Sequence, residues 1–307
     1  MKIILSDKQL NKSDFPDNVK IKSVSVKTME NFEGNPDVVA IAGSRAMATK
    51  AEGMDFPSLK LFQLTSAGFD GVPIKEYRDK NIDVANAGTT YSTPIAETVV
   101  LGVLLMAKKL RKNPNNRHFK YTRHYSEITE LADKNVLVMG AGNIGTAVAN
   151  RLLAFEMNID GYDIFRPCEM PYKNIYRNRG ELLENIAKYD YIVSTLPDND
   201  DTKKFIDEDL FRKMKQTAVI INVGRKAVFN EEDFYSALKS KKIGGAVLDM
   251  FEKIPNPIQN KFRRLSNVIV LPGVAAISQE VNVRLRKHIT KNLLAMLDGE
   301  PVSNVIN

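Results

Sequence analysis

Short runs of β-branched and other apolar residues alternate with polar, helix-length stretches along the first ninety positions of the chain. The runs are KIILS at 2–6, KSVSV at 22–26, DVVAIAG at 37–43, LKLFQLTS at 59–66 and IDVANAG at 82–88. Strands separated by helix-length connections pair in parallel, because such a crossover returns the chain to the edge where the previous strand began. The pattern therefore predicts an open parallel sheet.

An almost continuous apolar stretch follows, TPIAETVVLGVLLMAKKLRK, and it predicts a long helix. Thr93 can cap this helix, and Pro94 suits its first position because the fixed backbone angle of proline is already helical. Apolar residues surround the helix axis on nearly all sides. We therefore expect this helix to be buried between layers or domains.

A second alternating series begins at Lys134. Its strand-like runs are NVLVMG at 135–140, NIDGYD at 158–163, YDYIVSTL at 189–196, TAVIINVG at 217–224, GGAVLDM at 244–250 and NVIVLP at 267–272. About six parallel strands are expected, which is the number in a dinucleotide-binding sheet. A final helix is predicted over about 278–298, and in a two-domain arrangement it could return to pack on the first domain.

The length and composition of the chain are those of an ordinary globular protein. A chain of 307 residues suits two domains, since single cores stop growing at about this length. Hydrophobic residues make up 43% and charged residues 26%, so a sizeable core can form. The single cysteine, Cys168, excludes an internal disulfide framework, and we expect an inert thiol because a reactive one needs surroundings that favour the thiolate.

The sequence contains no pattern typical of export or membrane insertion. The N-terminal MKIILSDKQL has only a short apolar run before Asp7 and Lys8, which is too brief for the core of a signal peptide. No stretch approaches the ~20 apolar residues needed to span a bilayer. These features predict a cytoplasmic protein with no membrane partner.

The formal net charge of +7 is concentrated in one segment. Between Thr98 and Ser126 no acid interrupts the basic residues Lys108, Lys109, Arg111, Lys112, Arg117, Lys120 and Arg123. Nucleic-acid binding would call for interleaved stacking aromatics or a known binding motif, and neither is evident. We interpret the segment as a solvated helix end and connector, with attraction of small anions as the alternative.

A glycine motif, Gly140-Ala-Gly142-Asn-Ile-Gly145, directly follows the run NVLVM and opens a predicted helix. Gly140 permits a tight turn, Gly142 lets a pyrophosphate approach backbone N–H groups, and Gly145 lets the helix pack closely on the strand. The N-terminus of the helix then faces the phosphates. This order of strand, glycine turn and helix predicts a dinucleotide site.

Asp163 stands at the end of the next predicted strand, eighteen residues beyond Gly145. A carboxylate there can accept hydrogen bonds from the adenosine ribose hydroxyls and would repel a 2′-phosphate, which favours NAD over NADP. Arg166 keeps NADP open as the less favoured alternative, since a guanidinium could pair with that phosphate.

Several ordered motifs carry a resemblance to the D-isomer-specific 2-hydroxyacid dehydrogenase family. Besides the glycine motif, Asp163 and the loop LPGVAAIS at 271–278, they are SAGFDGV at 66–72, NAGTTYSTPIAE at 86–97, STLPDNDDTK at 194–203, INVGRKAVFNEEDFYSAL at 221–238 and GGAVLDMFEKIPNP at 244–257. The resemblance implies an α/β fold of two domains with parallel sheets, one Rossmann-type and dinucleotide-binding, the other flavodoxin-like and substrate-binding. It also implies a discontinuous plan, with residues 1–98 and 280–307 on the substrate side and 99–279 on the NAD side, and a homodimer.

In this family a nicotinamide exchanges hydride with a small anionic 2-oxoacid or 2-hydroxyacid in the cleft between domains. An Arg binds the substrate, a His protonates the carbonyl oxygen and a Glu raises the basicity of that His. Arg225 matches the family Arg, and its planar fork suits a carboxylate, although a solvated loop Arg is the simpler alternative.

The other two catalytic residues are absent at the matching positions. The Glu position, five residues after Asp249, is Ile254, and the His position after Pro272 is Gly273. The histidines of the chain are His118 and His124, in the basic segment, and His288, on the final helix. Loss of both partners is self-consistent, because a Glu without its His would be a costly carboxylate in an apolar cleft.

The resemblance assigns further residues one by one. It places Asn143 and Ile144 at the pyrophosphate, and the amides of Ala67 and Gly68 at the substrate carboxylate, with Tyr91 nearer the entrance. The remaining cofactor positions are Leu196, Pro197, Thr202, Val223, Gly224, Asp249 and Gly273.

Two functions from different classes follow. The first is an NAD-dependent oxidoreductase with impaired or altered proton transfer. The second is a catalytically inactive protein that senses NAD and an anionic ligand on the same fold.

Overall fold

A computed structural model describes residues 1–110, 128–249 and 261–307. The strands are β1 (Lys2–Ser6), β2 (Val19–Ser23), β3 (Val38–Gly43), β4 (Leu61–Leu64), β5 (Asp83–Ala85), β6 (Asn135–Met139), β7 (Asn158–Tyr162), β8 (Ile175–Tyr176), β9 (Tyr191–Ser194), β10 (Val219–Asn222), β11 (Gly245–Leu248) and β12 (Val268–Val270). The α-helices are α1 (Arg45–Glu52), α2 (Ile74–Asp79), α3 (Ser92–Ala107), α4 (Asn143–Leu153), α5 (Arg179–Asn185), α6 (Glu208–Lys213), α7 (Glu231–Lys239) and α8 (Gln279–Asp298). Short 3₁₀ turns join several of them.

The chain forms two compact units. The first contains Met1–Tyr91 and Ser278–Asn307, and the second contains Ser92–Ile277. Both are built on parallel sheets covered by helices, so the predicted α/β class with two parallel sheets is confirmed. Helix α3 lies wholly in the second unit, and α8 lies wholly in the first.

The first unit has a five-stranded sheet in the order β2-β1-β3-β4-β5. This is the flavodoxin-like order, in which the strand sequence reverses between β1 and β3. Helix α8 covers one face of the sheet, because Leu285, Ile289 and Leu293 recur every four residues and join the core around Ile4 and Leu61.

Asn292 is the polar anchor of α8 in the first unit. Its side chain is only 1% exposed, and it donates to Gln63 Oε1 on β4 at 2.6 Å and to the carbonyl of Ser303 at 2.9 Å. Buried amides need such partners, because an unpaired polar group costs about 1–3 kcal/mol. This side chain therefore fixes both the helix and the C-terminal tail.

The second unit has a seven-stranded sheet in the order β12-β11-β10-β9-β6-β7-β8. Its order reverses between β6 and β9, which places the end of β6 at the point where α/β sheets bind ligands. Six of these strands match the six predicted runs. The seventh, β8, is a two-residue strand at the edge, too short to produce a periodic pattern.

Two sequence predictions about elements were wrong in detail. The second strand covers Val19–Ser23 rather than 22–26. Ser25 and Thr28 exchange hydrogen bonds, with the Ser25 amide donating to Thr28 Oγ1 at 2.8 Å, and this turn ends the strand. Helix α3 begins at Ser92, so Thr93 lies inside its first turn instead of capping it, and Leu101 is 51% exposed rather than buried.

Candidate functional site

The turn after β6 is shaped by Gly140. Its φ of +94° lies in the region that glycine adopts readily, and a Cβ there would stand 2.7 Å from Thr195 Oγ1. The Thr195 hydroxyl donates to the Gly140 carbonyl at 2.9 Å, and the Gly140 amide donates to the carbonyl of Tyr162 at 2.8 Å. The turn is thus tied to the ends of β9 and β7.

Gly142 and Gly145 differ in their surroundings. Among the described residues, a Cβ added at Gly142 would meet no atom within 4 Å, whereas one at Gly145 would lie 1.9 Å from the carbonyl oxygen of Gly140. Gly145 therefore allows the close approach of α4 to the turn. Gly142 instead leaves open space at the start of α4.

The N-terminus of α4 suits a pyrophosphate. Asn143 and Ile144 open the helix, and no side chain caps it. The first amides of an uncapped helix have no partner within the helix, and the helix dipole makes this end attractive to anions. Together with the open space at Gly142, the turn therefore fits the phosphates of a dinucleotide.

Asp163, which follows β7, forms several hydrogen bonds that involve backbone groups. Its Oδ2 accepts from the Ala141 amide at 2.9 Å, and its Oδ1 accepts from the amides of Phe165 at 2.9 Å and Arg166 at 3.0 Å. The guanidinium of Arg177 donates to the Asp163 carbonyl at 2.7 Å. The carboxylate therefore lies beside the glycine turn, and its role toward a ribose stays a prediction.

The loop after β9 carries Leu196, Pro197 and Thr202. Leu196 is buried in the core of the second unit, while the exposed Thr202 hydroxyl donates to the Pro197 carbonyl at 2.7 Å. Asn199 and Thr202 also bind each other through backbone and side-chain atoms. These bonds give the loop a defined shape next to the glycine turn.

The end of β10 carries Val223, Gly224 and Arg225. The amides of Val223 and Gly224 both donate to the Ser194 carbonyl, at 3.2 and 3.0 Å. A Cβ at Gly224 would lie 2.8 Å from the Leu196 carbonyl oxygen, so only glycine allows this contact. Arg225 follows, partly buried, at the carboxyl edge of the sheet.

Asp249 holds the loop that contains Gly273. Its side chain is buried, and its two carboxylate oxygens accept from the amides of Val274 at 2.9 Å and Ala275 at 3.0 Å. Gly273 itself is exposed and has a φ of +75°. Ile254 lies outside the described residues, and its assignment to the position of the family Glu stays a prediction.

The carboxyl edge of the first unit carries the two residues expected at a substrate carboxylate. The carbonyl of Ala67 accepts from Asn86 Nδ2 at 2.9 Å, and the carbonyl of Gly68 accepts from the Ser66 hydroxyl at 2.7 Å. The Tyr91 hydroxyl donates to the Thr65 carbonyl at 2.6 Å. These contacts give the 66–68 turn a fixed shape.

Asp7 lies at the same edge, where the strand order reverses between β1 and β3. Its Oδ2 accepts from the Ser44 amide at 3.1 Å, while its buried Oδ1 lies 3.8 Å from Lys8 Nζ and has no hydrogen-bond partner among the described residues. Burial raises the pKa of this carboxyl. Burial also raises the pKa of Tyr91, and the nearby charge of Asp7 raises it further.

One of the three histidines, His288, lies within the described residues. His288 contacts the carbonyl of Asn86 through Nε2 at 3.0 Å, within the first unit. His118 and His124 lie outside the described residues, as does the basic segment from Arg111 to Arg123.

Several residues that shape these edges were not predicted from the sequence: Thr195, Asn222, Asn86 and Asp7. Thr195, Asn86 and Asp7 directly follow a strand, and Asn222 is the last residue of one. This is where parallel sheets place functional side chains. Position alone could have singled them out. Their partners, however, are distant in the sequence.

Comparison with known proteins adds an independent view of the chain. Residues 99–275 match the family model described as D-isomer specific 2-hydroxyacid dehydrogenase, NAD binding domain. A glyoxylate reductase of Thermofilum pendens is 30% identical over 263 residues, which cover 84% of this chain and 78% of that protein. Across the described residues, no helix has the length and apolar character needed to cross a membrane.

Two solved structures share the fold along nearly the whole chain. One is an acyclic imino acid reductase in complex with NADPH and D-Arg, 24% identical, covering 100% of both chains with a TM-score of 0.76. The other is an NADPH-dependent glyoxylate/hydroxypyruvate reductase of Sinorhizobium meliloti with NADP and malonate, 22% identical, covering 99% of this chain and 96% of that one, with a TM-score of 0.75.

Proposed function

The chain belongs to the D-isomer-specific 2-hydroxyacid dehydrogenase family, and on that premise we propose that it reduces a small 2-oxoacid through altered proton transfer. The family makes it an oxidoreductase that uses a nicotinamide cofactor. The choice between NAD and NADP, the substrate and the proton path belong to the proposal, as do a cytoplasmic location and a homodimer.

One observation carries the cofactor part of the proposal. The uncapped N-terminus of α4 begins at Gly142, where a Cβ would meet no atom within 4 Å. Open space in front of unpaired amides is what a pyrophosphate needs. When bound, the nicotinamide would supply hydride to the carbonyl carbon.

Arg225 is the residue that we assign to substrate binding in the second unit. It is partly buried at the carboxyl end of β10, and a planar guanidinium binds a carboxylate with two parallel hydrogen bonds. The assignment of the Ala67 and Gly68 amides to the same carboxylate stays a prediction.

Proton transfer is where this chain departs from its family. With Gly273 at the position of the proton donor, water or another side chain would have to protonate the carbonyl oxygen. General acid catalysis is worth ~10²–10⁴-fold, so we expect 2-oxoacid reduction slower than in an intact site by about that factor.

Titration of NADH fluorescence, followed by single-turnover absorbance with a panel of 2-oxoacids, tests this proposal. We expect NADH to bind and to be consumed slowly. Arg225→Lys keeps the positive charge but loses the planar guanidinium that can form two parallel hydrogen bonds with a carboxylate. It should therefore raise KM for the 2-oxoacid and leave the affinity for NADH unchanged.

The alternative is a sensing protein that binds NAD and an anionic ligand without catalysis. It predicts that NADH binds and survives unchanged with every carbonyl substrate. Rates equal to those of an intact enzyme would contradict both hypotheses, because they would require a proton donor that neither includes.

A further inference from the structure

The loop Leu271–Ser278, after β12, offers no side chain that can donate a proton at neutral pH. Its residues are Leu, Pro, Gly, Val, Ala, Ala, Ile and Ser. Gly273 is exposed, and among the described residues other than its chain neighbours, the atom nearest to a Cβ built there is the Asp249 carbonyl oxygen, at 3.8 Å. None of these residues crowds the position.

The backbone of this loop is held at several points. Leu271 donates to the Leu248 carbonyl at 2.8 Å, and Ile277 donates to the Val274 carbonyl at 2.9 Å. Asp249 accepts the amides of Val274 and Ala275. These bonds fix Gly273 at a φ of +75°, a conformation that costs other residues roughly 1–2 kcal/mol. The loop is therefore built around a residue without a side chain.

Two opposite charges stand at the ends of neighbouring strands beside this loop. Arg225 follows β10 and Asp249 follows β11, and these strands pair in parallel. Asn222 links them, since its carbonyl accepts from the Asp249 amide at 3.1 Å and its Nδ2 donates to the Arg225 carbonyl at 3.5 Å. This edge thus carries the partly buried Arg225 and, bound to the amides of Val274 and Ala275, the buried Asp249 carboxylate. The two groups are of opposite charge, as are the carboxylate and cation of an amino acid.

The chemistry of the reducible group decides whether a proton donor is needed. When hydride adds to the carbon of a ketone, the π electrons move to oxygen, and the alkoxide must be protonated. In an iminium the nitrogen already carries the proton. Hydride adds to the carbon, the π pair becomes the lone pair of a neutral amine, and the nicotinamide is oxidised. The amine then takes a proton from water, so the protein need not supply one.

We propose that this site reduces 2-iminoacids, in their iminium form, to 2-amino acids. The imine forms when a 2-oxoacid condenses with ammonia or a small primary amine and releases water, and a proton taken from solvent converts it to the iminium. Its carboxylate pairs with Arg225, and the buried charge of Asp249 favours the cationic nitrogen on the side of Gly273. This inference rests on the proposed function, in that Gly273 occupies the position of the proton donor.

The test uses the full chain with NADH or NADPH and a 2-oxoacid, with ammonium chloride or, as the control, sodium chloride at equal ionic strength. We expect ammonium to raise the rate at least ~10-fold, since the iminium avoids the missing acid step. Isotopically labelled ammonium should appear in a 2-amino acid, identified by mass spectrometry and chiral chromatography.

A binding measurement without turnover supplies a second readout. In the presence of NAD⁺ analogues that cannot react, a 2-amino acid should bind more tightly than the 2-hydroxyacid with the same side chain. The reason is that the amino acid carries a cationic ammonium group and the hydroxyacid does not. Equal affinities, or tighter binding of the hydroxyacid, would contradict the inference.

The outcomes separate the inference from the proposed function. A 2-hydroxyacid as the only product, at a rate that ammonium does not change, overturns the inference and supports the proposed function. Tight NADH binding without consumption under any condition overturns both and supports the sensing alternative. Failure to bind either cofactor overturns the cofactor assignment itself.

Discussion

At the scale of single residues, the three glycines of the turn between β6 and α4 differ in conformation and surroundings. Gly140 adopts a φ of +94°, Gly142 leaves open space, and Gly145 allows contact between α4 and the turn. A methyl group at Gly145 would meet the Gly140 carbonyl oxygen at 1.9 Å, so backbone would have to move. The glycine motif predicts a different role for each position, and the local packing shows the steric difference between them.

We predict that Gly145→Ala destabilises the protein by about 3 kcal/mol and abolishes NADH binding, because the helix must move away from the turn. Gly142→Ala is the matched control, since its Cβ meets nothing within 4 Å. It should fold with nearly unchanged stability and lose affinity for NADH only. Urea unfolding and NADH titration measure both effects. Equal stability of the two variants would contradict the assignment of Gly145.

Asp163 sets the expected choice between cofactors. Its carboxylate accepts hydrogen bonds from three backbone amides, which hold it beside the glycine turn. We predict that NADH binds at least ~10-fold more tightly than NADPH, about 1.4 kcal/mol, because a 2′-phosphate would face this charge. Fluorescence titration with each cofactor measures the ratio.

Arg166 supplies the control for that prediction. Its side chain is exposed. If Arg166 bound the 2′-phosphate, Arg166→Ala would weaken the binding of NADPH and leave the binding of NADH unchanged. Equal affinities for the two cofactors in the natural chain would remove Asp163 from its assigned role and point to Arg166.

At the scale of elements, the proposed proton chemistry depends on the loop between β12 and α8. We assign Gly273, which has a φ of +75°, to the position of the family His, and the proposed partner position, Ile254, lies outside the described residues. A side chain at position 273 would not be crowded by the described residues. It would, however, require a left-handed backbone, which is unfavourable for residues other than glycine. Histidine tolerates this region better than β-branched residues do.

We predict that Gly273→His with Ile254→Glu raises 2-oxoacid reduction above either single change, and that the gain exceeds the sum of the two. The His alone lacks its orienting carboxylate, and the Glu alone is a charge without a partner. Gly273→Ala is the control, because alanine imposes the same backbone strain but has no side chain that can donate a proton. A folded double variant that binds NADH normally and reduces no 2-oxoacid faster than the natural chain would contradict the assignment of these positions.

At the scale of the whole molecule, the chain divides unequally. The second unit is one continuous segment, Ser92–Ile277, whereas the first combines Met1–Tyr91 with the C-terminal Ser278–Asn307. The candidate cofactor residues from Gly140 to Gly273 all lie in the continuous unit. Helix α3 belongs to it as well, since Gly102 packs against Val247, where a Cβ would lie 3.1 Å from Cγ1.

We predict that the segment Ser92–Ile277 folds alone, because its sheet is complete and has its own core. It should unfold cooperatively in urea and bind NADH within about 10-fold of the full chain, a loss of no more than ~1.4 kcal/mol. The same segment with Gly145→Ala is the negative control for binding. A segment that shows no cooperative transition would mean that the first unit is required for folding.

The sequence by itself determined the features that depend on neighbours along the chain. The alternation of apolar runs predicted two parallel sheets and six of the seven strands of the second one, because strand and helix periods are local properties. The glycine spacing predicted the turn before α4 for the same reason. Arg225 was assigned through the resemblance to the family, and its role stays a prediction.

Only the tertiary structure decided features whose partners are distant in the sequence. The edge strand β8 exists because Ile175 and Tyr176 pair with β7, and two residues have no period of their own. Asp163 accepts one amide, that of Ala141, from 22 residues away, and both amides that bind Asp249 are distant, 26 residues away for Ala275. The left-handed backbone of Gly273 likewise depends on hydrogen bonds made around it. Such contacts form only when the strands are assembled, because assembly brings the ends of parallel strands to one edge.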